Sequence, residues 1–396
     1  LEPLANRILE QKDKDGDINL IAAEFIHEDE DESKCVNNTE EAINGALDII
    51  AEIISDTKEA REQIRDFVFK TAEIFTELKE DGENVKTYSM YDGKKEIAAK
   101  MPSHRILAIN RGEKESCIKV TVNLNEDKCY GILSDMFIKG ESIWKEKLQL
   151  TCVDSFDRLI RSSVERELRN DLTDKANEQA IKMFEVNLKP LLMQPPLKHK
   201  VILGLDPAYR TGCKLAVIDE NGTVLDKGVI YPTPPHNKIE EAEAVVLRFI
   251  AKYKVDSIAI GNGTASKESE IFVANLIKKH GLKVNYMVVS EAGASVYSAS
   301  KLGAEEFPDY DVSLRSAVSI ARRLQDPLAE LIKIDVKSIG VGQYQHDMPQ
   351  ARLTEVLNGV VEDCVNSVGA DLNTASPSLL AKISGLNNGI AKNIVK

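Results

Sequence analysis

The stretch VILGLDPAYRTGCKLAVIDENGTVLDKGVIY, residues 201 to 231, constrains this chain more than any other. Its first segment is apolar and ends in a lone acid, Asp206, before a turn through Pro207 and Ala208. A second run of β-formers follows Gly212, and Asn221-Gly222 turns the chain into a third. Turns this short make consecutive strands antiparallel neighbours. Beyond them the pattern alternates. It predicts an amphipathic helix over 238–253, a buried strand VDSIAIGNG, a helix SKESEIFVANLIKKHG with Gly281 near its end, and a strand KVNYMVVSEAG. SVYSASKLGAEEF and VSLRSAVSIARRLQ then read as helices. Three antiparallel strands followed by α/β alternation is the order of an RNase H-like fold.

The remainder reads as mostly helical. At 396 residues the chain should hold about two to four domains. Residues 40–80 carry a helical stripe through Ala42, Ile43, Ala46, Ile49, Ile50, Ile53 and Ile54, with a cap at Asn38. CIKVTVN, 117–123, alternates as a short strand does, and a long helical tract runs from about 144 to 192. In that tract Arg158, Arg161, Arg166 and Arg169 lie among acids, and a Glu165–Arg169 pair at i,i+4 favours a solvated face over a phosphate contact. QPPLKHK is a linker by its prolines. The expected domains are therefore 1–198, a helical region; 199–326, the RNase H-like domain; and 327–396, a helical hairpin region.

Composition excludes several classes. No apolar run approaches the roughly 18 residues of a membrane helix. The six cysteines are scattered without a C-x-x-C pair, which argues against structural zinc and for a reduced, cytoplasmic setting. A net charge of −13 excludes a uniformly basic coat but not a local basic patch. The chain opens at Leu1 inside one helical pattern and stops after another, so a fragment of a longer protein is expected.

Chemistry in an RNase H-like fold comes from carboxylates gathered at strand ends, which hold two Mg²⁺ ions about 4 Å apart. Asp206 stands where the first ligand belongs, and Glu291 ends YMVVSE as a second. The strand SIAIG ends in Gly261 and Asn262 without an acid. Arg315-Ser316 occupies the place where a nuclease wants an aspartate, with Asp311 about a turn earlier. Two acids make a poor two-metal site, and Arg315, facing inward, would repel a cation. Asp206 and Glu291 are thus read as vestigial, with no catalytic residue, metal or cofactor assigned. The plainer reading of Asp206 is a cap on the turn that follows it. IAIGNGTAS lacks the lysine of a P-loop.

SPSLLAKISGLNNGIAKNIV, 376–395, reads as two short apolar helices around Ile383-Ser384-Gly385-Leu386-Asn387. A helix-hairpin-helix sets such a turn beside a phosphate backbone, with turn amides and the second helix's N-terminus as donors. The candidate contacts are Lys382, Ser384, Gly385, Asn387, Lys392 and Lys396. An ordinary packing hairpin fits the same pattern. VLNGVVEDCVNSVGADLNTAS reads as part of a second module with Gly369 ending its helix, and GVGQYQHD, with Tyr344 and His346, as a connector rather than a base-stacking platform.

Six long segments, in order, carry a resemblance: PSHRILAINRGEKE, LGLDPAYRTGCKLAVID, IAIGNGTASKESE, VVSEAGASVYSAS, VSLRSAVSIARRLQDPLAELIKIDVKSIGVGQYQHD and VEDCVNSVGADLNTAS. With them the chain resembles the Tex family of bacterial transcription accessory proteins. The resemblance implies a helical N-terminal region, a YqgF-type RNase H-like domain without a full catalytic set, and helix-hairpin-helix modules. Family members end in a nucleic-acid-binding S1 domain, before which this fragment is expected to stop. Ala208 departs from the glycine common there and restricts the turn after Asp206. The expected function is a non-enzymatic transcription accessory protein that binds RNA or DNA through the sugar-phosphate backbone, with RNA polymerase or another transcription protein as partner and no membrane. The rival readings are a metal-dependent nuclease of the junction-resolvase type built on Asp206 and Glu291, and a protein-interaction scaffold.

Overall fold

The computed structural model describes residues 1–27, 35–79, 84–340, 342–370, 372 and 375–395. The chain divides into two compact units, Leu1–Ala180 and Ile181–Lys396.

The first unit is built of helices, among them Thr39–Asp56, Lys58–Thr71, Ser103–Lys114, Glu126–Phe137 and Lys145–Asp154, and it includes most of the 32-residue helix Arg161–Leu192. The Asn38 cap forms as the sequence predicts. Its side-chain oxygen accepts the Glu41 amide at 2.9 Å, and the Glu41 carboxylate reaches back to the Asn37 amide at 2.8 Å. Two expectations are corrected here. Residues 73–78 continue the predicted helical tract in sequence but form a strand, β1 (Glu73–Leu78), between β2 (Lys94–Ile97) and β3 (Ile118–Asn123). Ile74 and Thr76 alternate inward, and both neighbours pair antiparallel with it, so long-range ladder bonds override local helical preference. The Glu165–Arg169 pair is also absent. Arg161 takes Glu165 at 3.2 Å, while Arg169 reaches helix 103–114, donating to Glu113 at 2.7 Å and to the Asn110 side-chain oxygen at 3.0 Å.

The second unit holds the predicted RNase H-like order. Strands β4 (Ile202–Asp206), β5 (Cys213–Ile218) and β6 (Val224–Ile230) form an antiparallel meander, and β7 (Ser257–Gly261) and β8 (Asn285–Val289) add in parallel. The sheet order is β6-β5-β4-β7-β8. Alternation along the strands splits the core in two. Leu203, Leu205, Leu215, Val217, Ile258 and Ile260 pack under helices Ile239–Tyr253 and Ser266–His280. Ile202, Ala216, Ile218 and Ala259 pack under helix Val312–Gln325. That helix lies so close to β4 that a Cβ on Gly204 would collide with the Ala317 carbonyl oxygen and sit 2.9 Å from the Ala321 Cβ. The segment 294–306 forms two short helices rather than one, because Ser300 starts the second by accepting the Gly303 amide. After Gln325 come helices Pro327–Leu331, Gln350–Val368, Pro377–Leu380 and Asn388–Val395. Gly369 ends the second of these at φ +78°, as its sequence position suggests. No described helix is long and apolar enough to cross a membrane.

Gly204→Ala should cost about 3 kcal/mol or more, since the clash is with backbone that cannot step aside. Gly281→Ala should cost only about 1 kcal/mol, because φ of +60° is its sole obstacle and nothing lies within 4 Å. Urea denaturation of both variants measures the difference.

Candidate functional site

The C-terminal ends of β4, β7 and β8 converge at Asp206. Asp206 faces helix Val312–Gln325, as Gly204 does two residues earlier on the same strand. Its carboxylate lies beside the Ser316 hydroxyl, which favours the charged form, and in the field of Glu291 and of Lys214. The structure thus brings the two predicted acids together. Asp206 is not the turn cap of the simpler reading, for its side-chain partner is on the helix rather than in the 207–212 loop.

Three residues that sequence reasoning read as gaps or obstacles have structural tasks. The Asn262 side-chain oxygen accepts the Glu291 amide at 2.9 Å, so the missing acid is a residue that holds the Glu291 loop. Arg315 does not face the acids; it donates to the carbonyls of Phe307 at 3.1 Å and Ser298 at 3.2 Å. Asp311 caps its helix through the Leu314 amide at 2.8 Å. The cation near Glu291 is Arg323, 3% exposed, which donates to the carbonyls on either side of Glu291, Ser290 at 2.8 Å and Ala292 at 2.6 Å. Burial holds its guanidinium below the ordinary arginine range, against the pull of Glu330 and Glu291.

Lys214 was also missed, although its parity was legible. It is the Cα partner of Asp206 across β4 and β5, a lysine within the apolar run CKLAVI. It is 8% exposed, and its ammonium donates to the carbonyls of Thr211 and Gly212, the latter at 2.9 Å. The paired divalent ions that an RNase H-like fold implies do not fit these residues. Two carboxylates, a neutral Asn262, a neutral Ser316 and a buried ammonium are the wrong donor set for two dications. Among the described residues no group of three or more His, Cys, Asp or Glu side chains stands together as a metal site.

At the other candidate surface, helices Pro377–Leu380 and Asn388–Val395 flank a turn closed by the Leu386 amide on the Ile383 carbonyl at 3.0 Å. Gly385 holds φ +87° at its exposed tip. Asn387 caps the second helix by accepting the Ile390 amide at 3.0 Å. The Ser384 amide is taken by the Asn366 side chain at 3.2 Å, and the Lys382 ammonium lies 3.5 Å from the Asn358 side-chain oxygen. Lys392 is exposed on the second helix, and Lys396 lies outside the described residues. Leu379 and Leu380 are buried, but Ile390, Ile394 and Val395 are each more than 40% exposed, so the apolar stripe of the second helix does not join the core. Tyr344 is half-buried, while His346 is exposed on the single turn Gln345–Asp347.

Residues 13–184 match the family model of the Tex central region, residues 200–325 that of the Tex protein YqgF-like domain, and residues 365–396 that of a helix-hairpin-helix motif. The chain belongs to the Tex family. It is 50% identical over 399 residues to the uncharacterized protein YdcI of Bacillus subtilis, covering all of this chain and 55% of YdcI. It is 42% identical to protein tex of Bordetella pertussis and 42% identical to the transcriptional accessory protein Tex of Neisseria gonorrhoeae, again over its full length and over 51% and 52% of theirs. The chain therefore spans about half the length of the curated relatives it matches.

Burial lifts the Asp206 carboxyl from 3.8 to about 6; the Ser316 hydrogen bond and Lys214 oppose the rise, and Glu291 adds to it. A carboxyl raised in the folded state stabilises when protonated, so its contribution is full below the unfolded value near 3.8 and is lost as pH climbs through about 6. Asp206→Asn should therefore raise stability above pH 6, by up to about 3 kcal/mol. The gain over wild type should vanish below about pH 4. Thermal unfolding of both proteins across that range is the measurement.

Proposed function

We propose that this chain is a nucleic-acid-binding transcription accessory protein that meets sugar-phosphate without strong sequence preference and performs no catalysis. The observation that carries the reading is the hairpin at Ile383–Asn387, which leaves Ser384, Gly385 and Asn387 exposed at the start of helix Asn388–Val395. A helix N-terminus presents amide donors and a positive dipole end, which suit a phosphate. Lys382 and Lys392 add charge. The Ser384 amide, engaged by Asn366, contributes by shaping the turn. The name of the Neisseria relative supports the transcription setting, and with it RNA polymerase or another transcription protein as partner. In this reading 1–198 is a helical platform, 199–326 a retired nuclease fold and 327–396 the nucleic-acid arm. The Asp206 region supports the non-enzymatic part, since its donor set does not suit paired Mg²⁺.

Affinity should be weak and salt-dependent. Two or three neutralised phosphates give a slope of about −2 to −3 in log K against log salt on duplex DNA. The net charge of −13 makes the long-range field repulsive, so association is not steered. Lys382→Glu combined with Lys392→Glu should abolish binding, and Gly385→Val should weaken it by distorting a turn that needs positive φ. Fluorescence anisotropy with labelled RNA and DNA oligonucleotides, titrated in salt, reads all three. Unchanged affinity in both variants would move the binding surface elsewhere.

Incubation with Mg²⁺ or Mn²⁺ should leave single strands, duplexes and four-way junctions uncut. Cleavage that disappears in Asp206→Asn would restore the junction-resolvase reading.

A further inference from the structure

The two acids at the strand ends share their face of the sheet with an ionisable group that RNase H-like metal chemistry does not use. Residues paired across antiparallel strands project to the same side, and the pairing here is Asp206 with Lys214. That side is the one under helix Val312–Gln325, since Ile202 and Gly204 precede Asp206 there on β4, and Ala216 and Ile218 follow Lys214 on β5. The lysine does not escape to solvent. Its side chain turns into the loop after β4, where the Thr211 and Gly212 carbonyls fix the ammonium. Two main-chain oxygens satisfy hydrogen bonds but carry no net charge, so a buried ammonium still needs anions nearby. Asp206 is the anion that feels this charge, which opposes the rise of its carboxyl.

We infer that Lys214 is the resident cation of Asp206, an ammonium tethered to the paired residue of β5 in the role a divalent ion plays at that carboxylate in a working nuclease of this fold, while Arg323 serves Glu291. A dication held by Asp206 would meet a like charge fixed on the residue paired with it across the sheet and only two carboxylates to attract it. The charge of the site is then set by the chain itself and is independent of the divalent-ion level. The inference does not rest on the nucleic-acid reading, because metal binding is measured directly.

The test uses the 396-residue chain above the titration of Asp206, with Mn²⁺ as the probe, followed by the electron paramagnetic resonance of the free ion and by thermal unfolding. Wild type should show no Mn²⁺ site that Asp206→Asn removes, and the same melting temperature in chelator and in Mn²⁺. Lys214→Met, which keeps length and removes charge, should gain a site. Its melting temperature should rise by about 2–4 °C at roughly ten times the dissociation constant. The gain should be lost in Lys214→Met/Asp206→Asn and absent in Lys214→Arg. A wild-type Mn²⁺ site that depends on Asp206 would overturn the inference, as would a folded Lys214→Met protein with no added affinity. Should Lys214→Met be unfolded in chelator, Mn²⁺ is expected to refold it, and failure to refold counts against the inference.

Discussion

The second unit depends on how closely helix Val312–Gln325 approaches β4. Gly204 makes this possible: with no Cβ, the strand accepts the Ala317 carbonyl against its backbone. The approach buries Ala317, Ile320 and Ala321 on one sheet face. It also fixes where every polar residue of the helix ends up. Ser316 meets Asp206 near one end, and Arg323, near the other, passes beneath the β8 loop to bind the carbonyls that flank Glu291. A helix held farther out would leave these groups unpaired and buried, which is the costlier state.

The far end of the same helix carries a second charge cluster. Arg322 and Lys333 both bind Glu306, at 2.9 and 3.2 Å, and Lys333 also binds Glu330 at 2.9 Å. The Tyr297 hydroxyl donates to Glu306 as well. Burial alone would lift the Glu306 carboxyl, yet Lys333, Tyr297 and Arg322 together hold it below the ordinary value. Burial, then Glu330 and Glu306, push the Tyr297 phenol up against the opposing charge of Arg322. These side chains join the RNase H-like fold to the segment after Gln325. Glu306, Arg322, Glu330 and Lys333 line a cavity of about 450 Å³ bounded also by Lys198, Gly222, Phe307 and Ala329. Breaking one member of such a network strands the rest in low dielectric.

The two candidate surfaces differ in what the fold has done to them. Around Asp206, Asn262 and Lys214 each have a hydrogen-bonding task, holding the Glu291 amide and the Thr211 and Gly212 carbonyls. At the hairpin, Gly385 and Asn387 remain at the surface, while Ser384 and Lys382 are drawn back toward helix Gln350–Val368. A hairpin anchored in this way is presented to solvent in one orientation.

The sequence alone determined the order of strands and helices in 201–325, the caps at Asn38 and Gly281, and the shortage of acids around Asp206. These are local properties: period-two and period-3.6 patterns, turn residues and residue identity. Tertiary structure decided the rest. Residues 73–78 became a strand only because β2 and β3 lie on either side. Arg169 chose Glu113 over Glu165 because a neighbouring helix brought that carboxylate within reach. Asn262, Arg323 and Lys214 acquired their roles from segments up to 33 residues away in sequence or from a cross-strand register. Periodicity reports which face a side chain occupies, but partners are set by long-range packing, and the electrostatics of a site follow its partners.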